Sequence, residues 1–201
     1  VKNHANGARN PDAHLDFECS LADATDATEV AAPLTLYHCC PTTDGASAVL
    51  VGSAEVAADL PGPAVRVAGT GAASGRLGLF ERESLTRVPA AERAGERAYA
   101  DAGLGPADVD TAEVHDCFAI AELLAYEDLG FCDRGEAARL LREGATGPDG
   151  RLPVNASGGL KSKGHPIGAT GPGRIAGALD RPLAEGAVAA GTVVGRTVAA
   201  P

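Results

Sequence analysis

Between Pro153 and Ala176 the chain reads PVNASGGLKSKGHPIGATGPGRIA, and no other stretch limits its fold as tightly. A glycine pair, Gly158–Gly159, is followed by Gly164-His165-Pro166 and then by a Gly-Ala-Thr-Gly run over Gly168–Gly171. Glycine at this density allows turns closed to other residues and lets the backbone approach a ligand. Pro166 fixes its own φ and restricts His165 before it, so the imidazole has little freedom. A helix after the run would point its unpaired amides back at the loop, where an oxyanion or phosphate is well received. A glycine-rich turn with no ligand would read the same way, and these residues alone leave both readings open.

Composition narrows the class. The 201 residues suit one medium domain or two small ones, with enough chain to bury a core. Aromatics make up only 3% of the chain, so that core is built of Ala, Val and Leu. A net charge of −10 excludes a general nucleic-acid binder, which needs a basic face. It leaves room for a locally basic pocket facing an anionic ligand. No methionine is present and the chain opens on Val-Lys-Asn-His, which reads as a fragment, a processed product or a trimmed chain. No apolar run is long enough to cross a membrane, and there is no signal-peptide pattern. The five cysteines, Cys19, Cys39, Cys40, Cys117 and Cys132, are odd in number and include an adjacent pair. Both features fit a reduced compartment, the cytoplasm, better than a disulfide framework. No Cys/His spacing has the form of a zinc site, so no metal is expected.

Taken in order, residues 1–30 are polar and show no sustained period, which predicts loop with one short helix. The charged and His side chains between Lys2 and His14 fit a ligand contact or, more simply, a solvated loop. The small and β-branched run Gly45–Gly52 predicts a strand buried on both faces. Ser53 is placed to cap a short helix over 55–60, and Pro61-Gly62-Pro63 marks a hinge. Residues 64–71 predict another strand. Pro89 to Gly103 predicts a helix, with proline in the first turn, Ala94, Ala98 and Ala102 stacked at i+4, and glycine as the C-cap. A short strand over 108–114, helices over 119–130 and 135–142, a turn at Pro148-Asp149-Gly150, a strand entering at Val154 and a helix from Ile175 to about Leu179 follow. Strands alternating with helices imply an α/β layered domain. The end of the chain, 180–201, carries a β-like run without hairpin chemistry.

Cys117 stands in His115-Asp116-Cys117-Phe118, where a strand gives way to a helix. A cysteine there, beside a histidine, can hold a stabilised thiolate and serve as nucleophile or proton carrier. It can equally be a buried small side chain. Asp116 can be a simple helix N-cap. His165, held by Gly164 and Pro166, is the stronger candidate and can donate to a developing enolate or thioester oxygen. Cys39-Cys40 read as packing residues, and Cys19 and Cys132 have no supporting context.

Together the motifs resemble a known family. HDCF followed by AIAELLAYEDLGFC, then NASGGLKSKGHPIGATG, with KNHANGARNP and CCPTTDGASAVLV upstream, is similar to the C-terminal half of thiolases of the sterol-carrier-protein-x and lipid-transfer-protein branch. The resemblance covers residues 1–178. It implies a thiolase-like layered α/β fold, a mixed sheet between helices. Residues 1–60 would then be the end of the N-terminal domain with cap-loop residues, and 61–201 the C-terminal domain, its 180–201 segment atypical.

The activity implied is acyl transfer on coenzyme A thioesters: 3-ketoacyl-CoA cleavage or Claisen condensation. Coenzyme A would enter as part of the substrate, with no covalently bound cofactor. By resemblance His115 takes the place of the Asn that holds an oxyanion-hole water. Cys117 takes proton transfer at the α-carbon, and His165 binds the thioester oxygen and activates the nucleophile. Gly159, Gly164, Gly168 and Gly171 shape the substrate pocket. The acyl-accepting cysteine belongs to the family's N-terminal half, and none of the five cysteines here sits in its motif. The expected partners are therefore an acyl-CoA and either a second copy in a homodimer or an N-terminal thiolase half. Two other readings remain: a non-catalytic acyl-CoA- or lipid-binding partner or remnant, and a retro-aldolase subunit, which needs no acyl-enzyme.

Overall fold

In the computed structural model, residues 1–61, 65–76, 78–179 and 189–191 are described. The core forms where β3 (Thr111–Glu113) runs between three partners. It pairs in parallel with β4 (Ala189–Gly191), meets Val154 through a parallel bridge at Ala112, and packs against α8 (Thr170–Leu179), while α5 (Ala119–Asp128) adds Tyr126 to the same buried cluster. Val109, Ala112, Val114, Tyr126, Leu129, Phe131, Leu140, Leu152 and Val154 make one buried cluster. All three residues of β3 are buried, as a central strand covered on both faces requires.

Helix α4 (Pro89–Ala102) starts with proline in its first turn and ends on Gly103 at φ +69°, the left-handed cap glycine adopts most readily. Its alanine stripe has a specific neighbour. A Cβ on Gly71 would meet the amide nitrogen of Ala98 at 2.7 Å, and one on Gly69 would meet the Ala102 amide at 2.6 Å. The segment 65–76 therefore lies directly on the helix, held by Asp101, whose carboxylate accepts from the Thr70 amide at 2.9 Å, and by Arg93 donating to the Ser74 carbonyl.

The two strands expected over 45–52 and 64–71 do not form ladders among the described residues, and Ala64 lies outside them. Leu50 is 82% exposed and Val51 79%, the reverse of a doubly buried strand. A strand needs a neighbour for its amides and carbonyls, and these apolar runs have none among the described residues. Ser53 does cap α3 (Ala54–Ala58), its hydroxyl accepting from the Val56 amide.

The N-terminal region also differs from expectation. It contains two helices, α1 (Lys2–Gly7) and α2 (Leu21–Asp26), and a small antiparallel pair, β1 (Glu29–Ala31) with β2 (Leu34–Thr35). In α1 the buried side chains are Asn3, His4 and Asn6. The helix buries a polar face in hydrogen bonds, so it has no apolar period to detect. Lys2 pairs with Glu122 at 2.5 Å and donates to the Val154 carbonyl at 2.6 Å, so this is not a solvated loop. The remaining helices are α6 (Ala137–Arg142), α7 (Gly159–Ser162) and α8 (Thr170–Leu179). Helix α8 begins five residues ahead of Ile175, within the glycine run. Pro172 is tolerated because it falls in the first turn, where its missing N–H has no intrahelical partner to lose. The rest of the atypical 180–201 segment, apart from β4, lies outside the described residues. None of the described helices is long and apolar enough to cross a membrane.

Candidate active site

The strand β3 ends at Glu113, and the chain turns through Val114-His115-Asp116-Cys117 into α5. This turn is tied down from within. Asn155, at φ +54°, accepts from the Val114 amide at 2.8 Å through its side chain, donates to Glu122 at 2.8 Å, and gives its own amide to the Ala112 carbonyl. Asp116 is completely buried and is not the helix cap; Phe118 occupies that position. Its carboxylate accepts from the Leu160 amide at 2.7 Å, from the Lys161 amide at 3.4 Å and from Asn3 at 2.7 Å. Burial, reinforced by the nearby Glu122 charge, pushes the Asp116 carboxyl up. For Glu122 burial acts in the same direction, but Lys2, Tyr126 and Asn3 outweigh it and hold that carboxylate ionised.

Those bonds explain the glycine pair. Gly159 sits at φ +59°, and a Cβ there would stand 2.8 Å from the Asp116 carboxyl carbon. Only glycine lets α7 begin against that carboxylate. Gly164, at φ +109°, lies as close to the far wall: a Cβ would meet Thr43 at 2.8 Å and His14 at 3.2 Å. Around Gly168 there is open space. Gly171 belongs to the first turn of α8.

With both segments anchored, His115 and His165 meet edge to face, ring centroids 5.2 Å apart and planes at 86°. The Thr170 hydroxyl donates to the Pro166 carbonyl at 2.9 Å and lies 2.7 Å from His165 Nδ1. A hydroxyl has one proton to give, so Nδ1 carries the imidazole proton and Nε2 presents its lone pair. Burial, with the positive charge of Arg174 and the neighbouring His165, drives the His115 pKa down to about 4; burial and Arg174 lower that of His165 as well. Both rings are therefore neutral near pH 7. Arg174, 1% exposed on α8, is within electrostatic reach of Asp116, Glu113 and Cys117. Glu113 accepts from the amide and hydroxyl of Ser157, and lies 3.8 Å from Lys163, which in turn holds the Gly173 carbonyl.

Cys117 is half-buried, and burial, then Cys40, raises its pKa. It holds its proton near neutral pH. The Cys40 amide donates to the Cys117 carbonyl at 2.9 Å, and Cys39 bridges Phe118 in antiparallel fashion. Cys39-Cys40, read from the sequence as packing residues, thus line the turn that carries Cys117. Cys19 and Cys132 stand apart from this group, and all five cysteines are free thiols. No group of three or more His, Cys, Asp and Glu that could hold a metal ion occurs among the described residues.

Sequence reasoning missed Asn3, Asn155, Lys161 and Arg174. The sequence marked their surroundings as loop, and only the αL conformation of Asn155 and the burial of the charges show what they do.

The sequence compared with known families matches the family described as Thiolase C-terminal domain-like over residues 71–178. Over 171 residues the chain is 44% identical to the acetyl-CoA acetyltransferase of Methanothermobacter thermautotrophicus, covering 85% of this chain and 45% of that protein. It is 39% identical to sterol carrier protein 2 of Rattus norvegicus over 175 residues, 85% of this chain and 32% of that one. The solved structure of the Ltp2-ChsH2(DUF35) aldolase superposes with a TM-score of 0.79 at 30% identity, covering 89% of this chain and 47% of that chain. The chain spans about half the length of the first of these relatives, or less.

Proposed function

Because the chain belongs to the thiolase C-terminal domain-like family, we propose that it supplies half of an active site for acyl transfer on coenzyme A thioesters, by 3-ketoacyl-CoA cleavage or Claisen condensation. The observation that carries this reading is the meeting of His115 and His165 at 5.2 Å, His115 standing on the turn that also carries Cys117. The two neutral imidazoles and the protonated thiol have distinct tasks. In condensation Cys117 first gives its own proton to a neighbouring base; its thiolate then removes a proton from the α-carbon of an acyl thioester, and the enolate attacks the acyl group held on a partner cysteine. In cleavage the Cys117 thiol returns that proton to the α-carbon. His165, with Nε2 unprotonated, takes the proton of the incoming thiol nucleophile; as imidazolium it then donates to the thioester oxygen. His115 holds the oxyanion-hole water. Gly159, Gly164, Gly168 and Gly171 form the pocket wall. Coenzyme A enters as part of the substrate, and no covalent cofactor is required.

The acyl-accepting cysteine comes from an N-terminal thiolase half or a second subunit. The exposed consecutive residues Val49, Leu50 and Val51 support such a partner, because contiguous apolar side chains at a surface mark a contact site. Five free thiols fit the cytoplasm. The test is thiolysis of a 3-ketoacyl-CoA: the chain alone gives none, and turnover at ordinary thiolase rates by the chain alone would overturn the reading.

A second reading, a retro-aldolase subunit, is favoured by the superposition on the Ltp2-ChsH2(DUF35) aldolase. It predicts that Cys117→Ala keeps part of the cleavage activity while His165→Ala loses it. Equal loss in both would count against it.

A further inference from the structure

Lys161, on α7, is 5% exposed, and its Nζ makes no hydrogen bond among the described residues. A buried ammonium without an acceptor is costly, and such groups persist where they serve a charge that forms during function. The neighbours of Lys161 are unusual in kind. The carboxylate of Asp116 accepts from the Lys161 backbone amide at 3.4 Å and is otherwise taken up by the Leu160 amide and Asn3. Cys39, Cys40 and Cys117 stand within electrostatic reach, as does His4 of α1. Cys40 and Cys117 are directly opposed across the short antiparallel bridge, one residue beyond the Cys39–Phe118 pair.

We propose that Lys161 is a positioning residue whose buried ammonium provides the counter-charge for a thiolate at the Cys40–Cys117 bridge, acting first on Cys40. The step is a proton loss beside a standing positive charge: the Cys40 S–H bond breaks, its proton passes to water, and the thiolate is left paired with the Lys161 ammonium. The thiolate on Cys40 then takes the proton of Cys117, so Cys117 can act as a base despite its burial. Burial lowers the Lys161 pKa to about 8, so the amine is still protonated near neutral pH and the counter-charge is present. Lys161 is the largest charge effect on Cys40, opposing burial, with Asp116 and Cys39 acting the other way. Arg174 acts on Cys117 and Asp116, and Glu122 on Asp116. The proposal uses the assigned role of Cys117 only for its consequence.

The experiment measures alkylation of each cysteine by iodoacetamide as a function of pH, read by peptide mass, in the wild-type chain and in Lys161→Gln, Lys161→Met and Lys161→Arg. The neutral variants should raise the Cys40 midpoint by about one pH unit, an about tenfold slower reaction below the midpoint, while Lys161→Arg preserves it. An unmoved Cys40 midpoint in both neutral variants, or an equal shift at the distant Cys132, would overturn the proposal. A reciprocal measurement needs no variant. Alkylating Cys40 and Cys117 in the wild-type chain should lower the pH at which the Lys161 ammonium titrates by NMR, and no change there would contradict it. No acyl-CoA enters these measurements, so their failure is separable from failure of the acyl-transfer reading.

Discussion

The carboxylate of Asp116 accepts a hydrogen bond from the Leu160 amide at 2.7 Å, and this one contact joins the turn carrying His115 and Cys117 to the segment carrying His165. The two motifs are 44 residues apart between those atoms. Asp116 also holds Asn3, so α1 is fastened to the same point. Asp116→Ala removes the acceptor of three donors, the Leu160 and Lys161 amides and the Asn3 side chain. It should destabilise the fold by about 2–4 kcal/mol, measured by denaturant unfolding. Unfolding midpoints equal to wild type would remove Asp116 from this role.

The glycines of the loop are not equivalent. Gly159→Ala places a Cβ against Asp116 at a positive φ and should cost at least about 2 kcal/mol. Gly168 has open space around it and is not in the left-handed region, so Gly168→Ala should change stability by less than about 1 kcal/mol. Urea titration of both variants separates a glycine required by packing from one that is not.

His115 should stay neutral until the pH approaches about 4. Its folded pKa lies below its ordinary value of 6.5, so the folded state resists its protonation. The stability this carries is complete above pH 6.5 and is lost as pH falls toward 4. NMR titration of the His115 ring reads the first statement, and unfolding at pH 7 and pH 5 the second. A His115 midpoint near 6.5 would contradict both.

Thr170→Val removes the acceptor of His165 Nδ1. The imidazole should then lose its preference for the Nδ1-protonated form, visible in ring nitrogen chemical shifts, with a stability loss of about 1 kcal/mol. An unchanged tautomer would show that Thr170 does not set it.

The local signals survived into the structure where the chemistry was local. Pro89 and Gly103 bound their helix, Ser53 caps α3, and the HDCF and GHP motifs do meet. Signals that depend on distant partners did not. The apolar runs 45–52 and 64–71 read as strands by composition, but no described neighbour completes a ladder, and α4 takes the glycines of the second run instead. Helix α1 buries Asn3, His4 and Asn6, a face no hydrophobic period can show. The thiolase-like fold was legible from the motif combination, while the contribution of Asn155, Lys161 and Arg174 was not, because it arises from burial rather than from residue type.

The central claim is that Cys117, with the two histidines, moves a proton at the α-carbon of an acyl-CoA. Deuterium incorporation into the methyl group of acetyl-CoA in D2O, followed by NMR, tests it without any nucleophilic cysteine. The account predicts exchange faster than buffer with the wild-type chain and exchange at the buffer rate with Cys117→Ala. Equal exchange by the two proteins would contradict it.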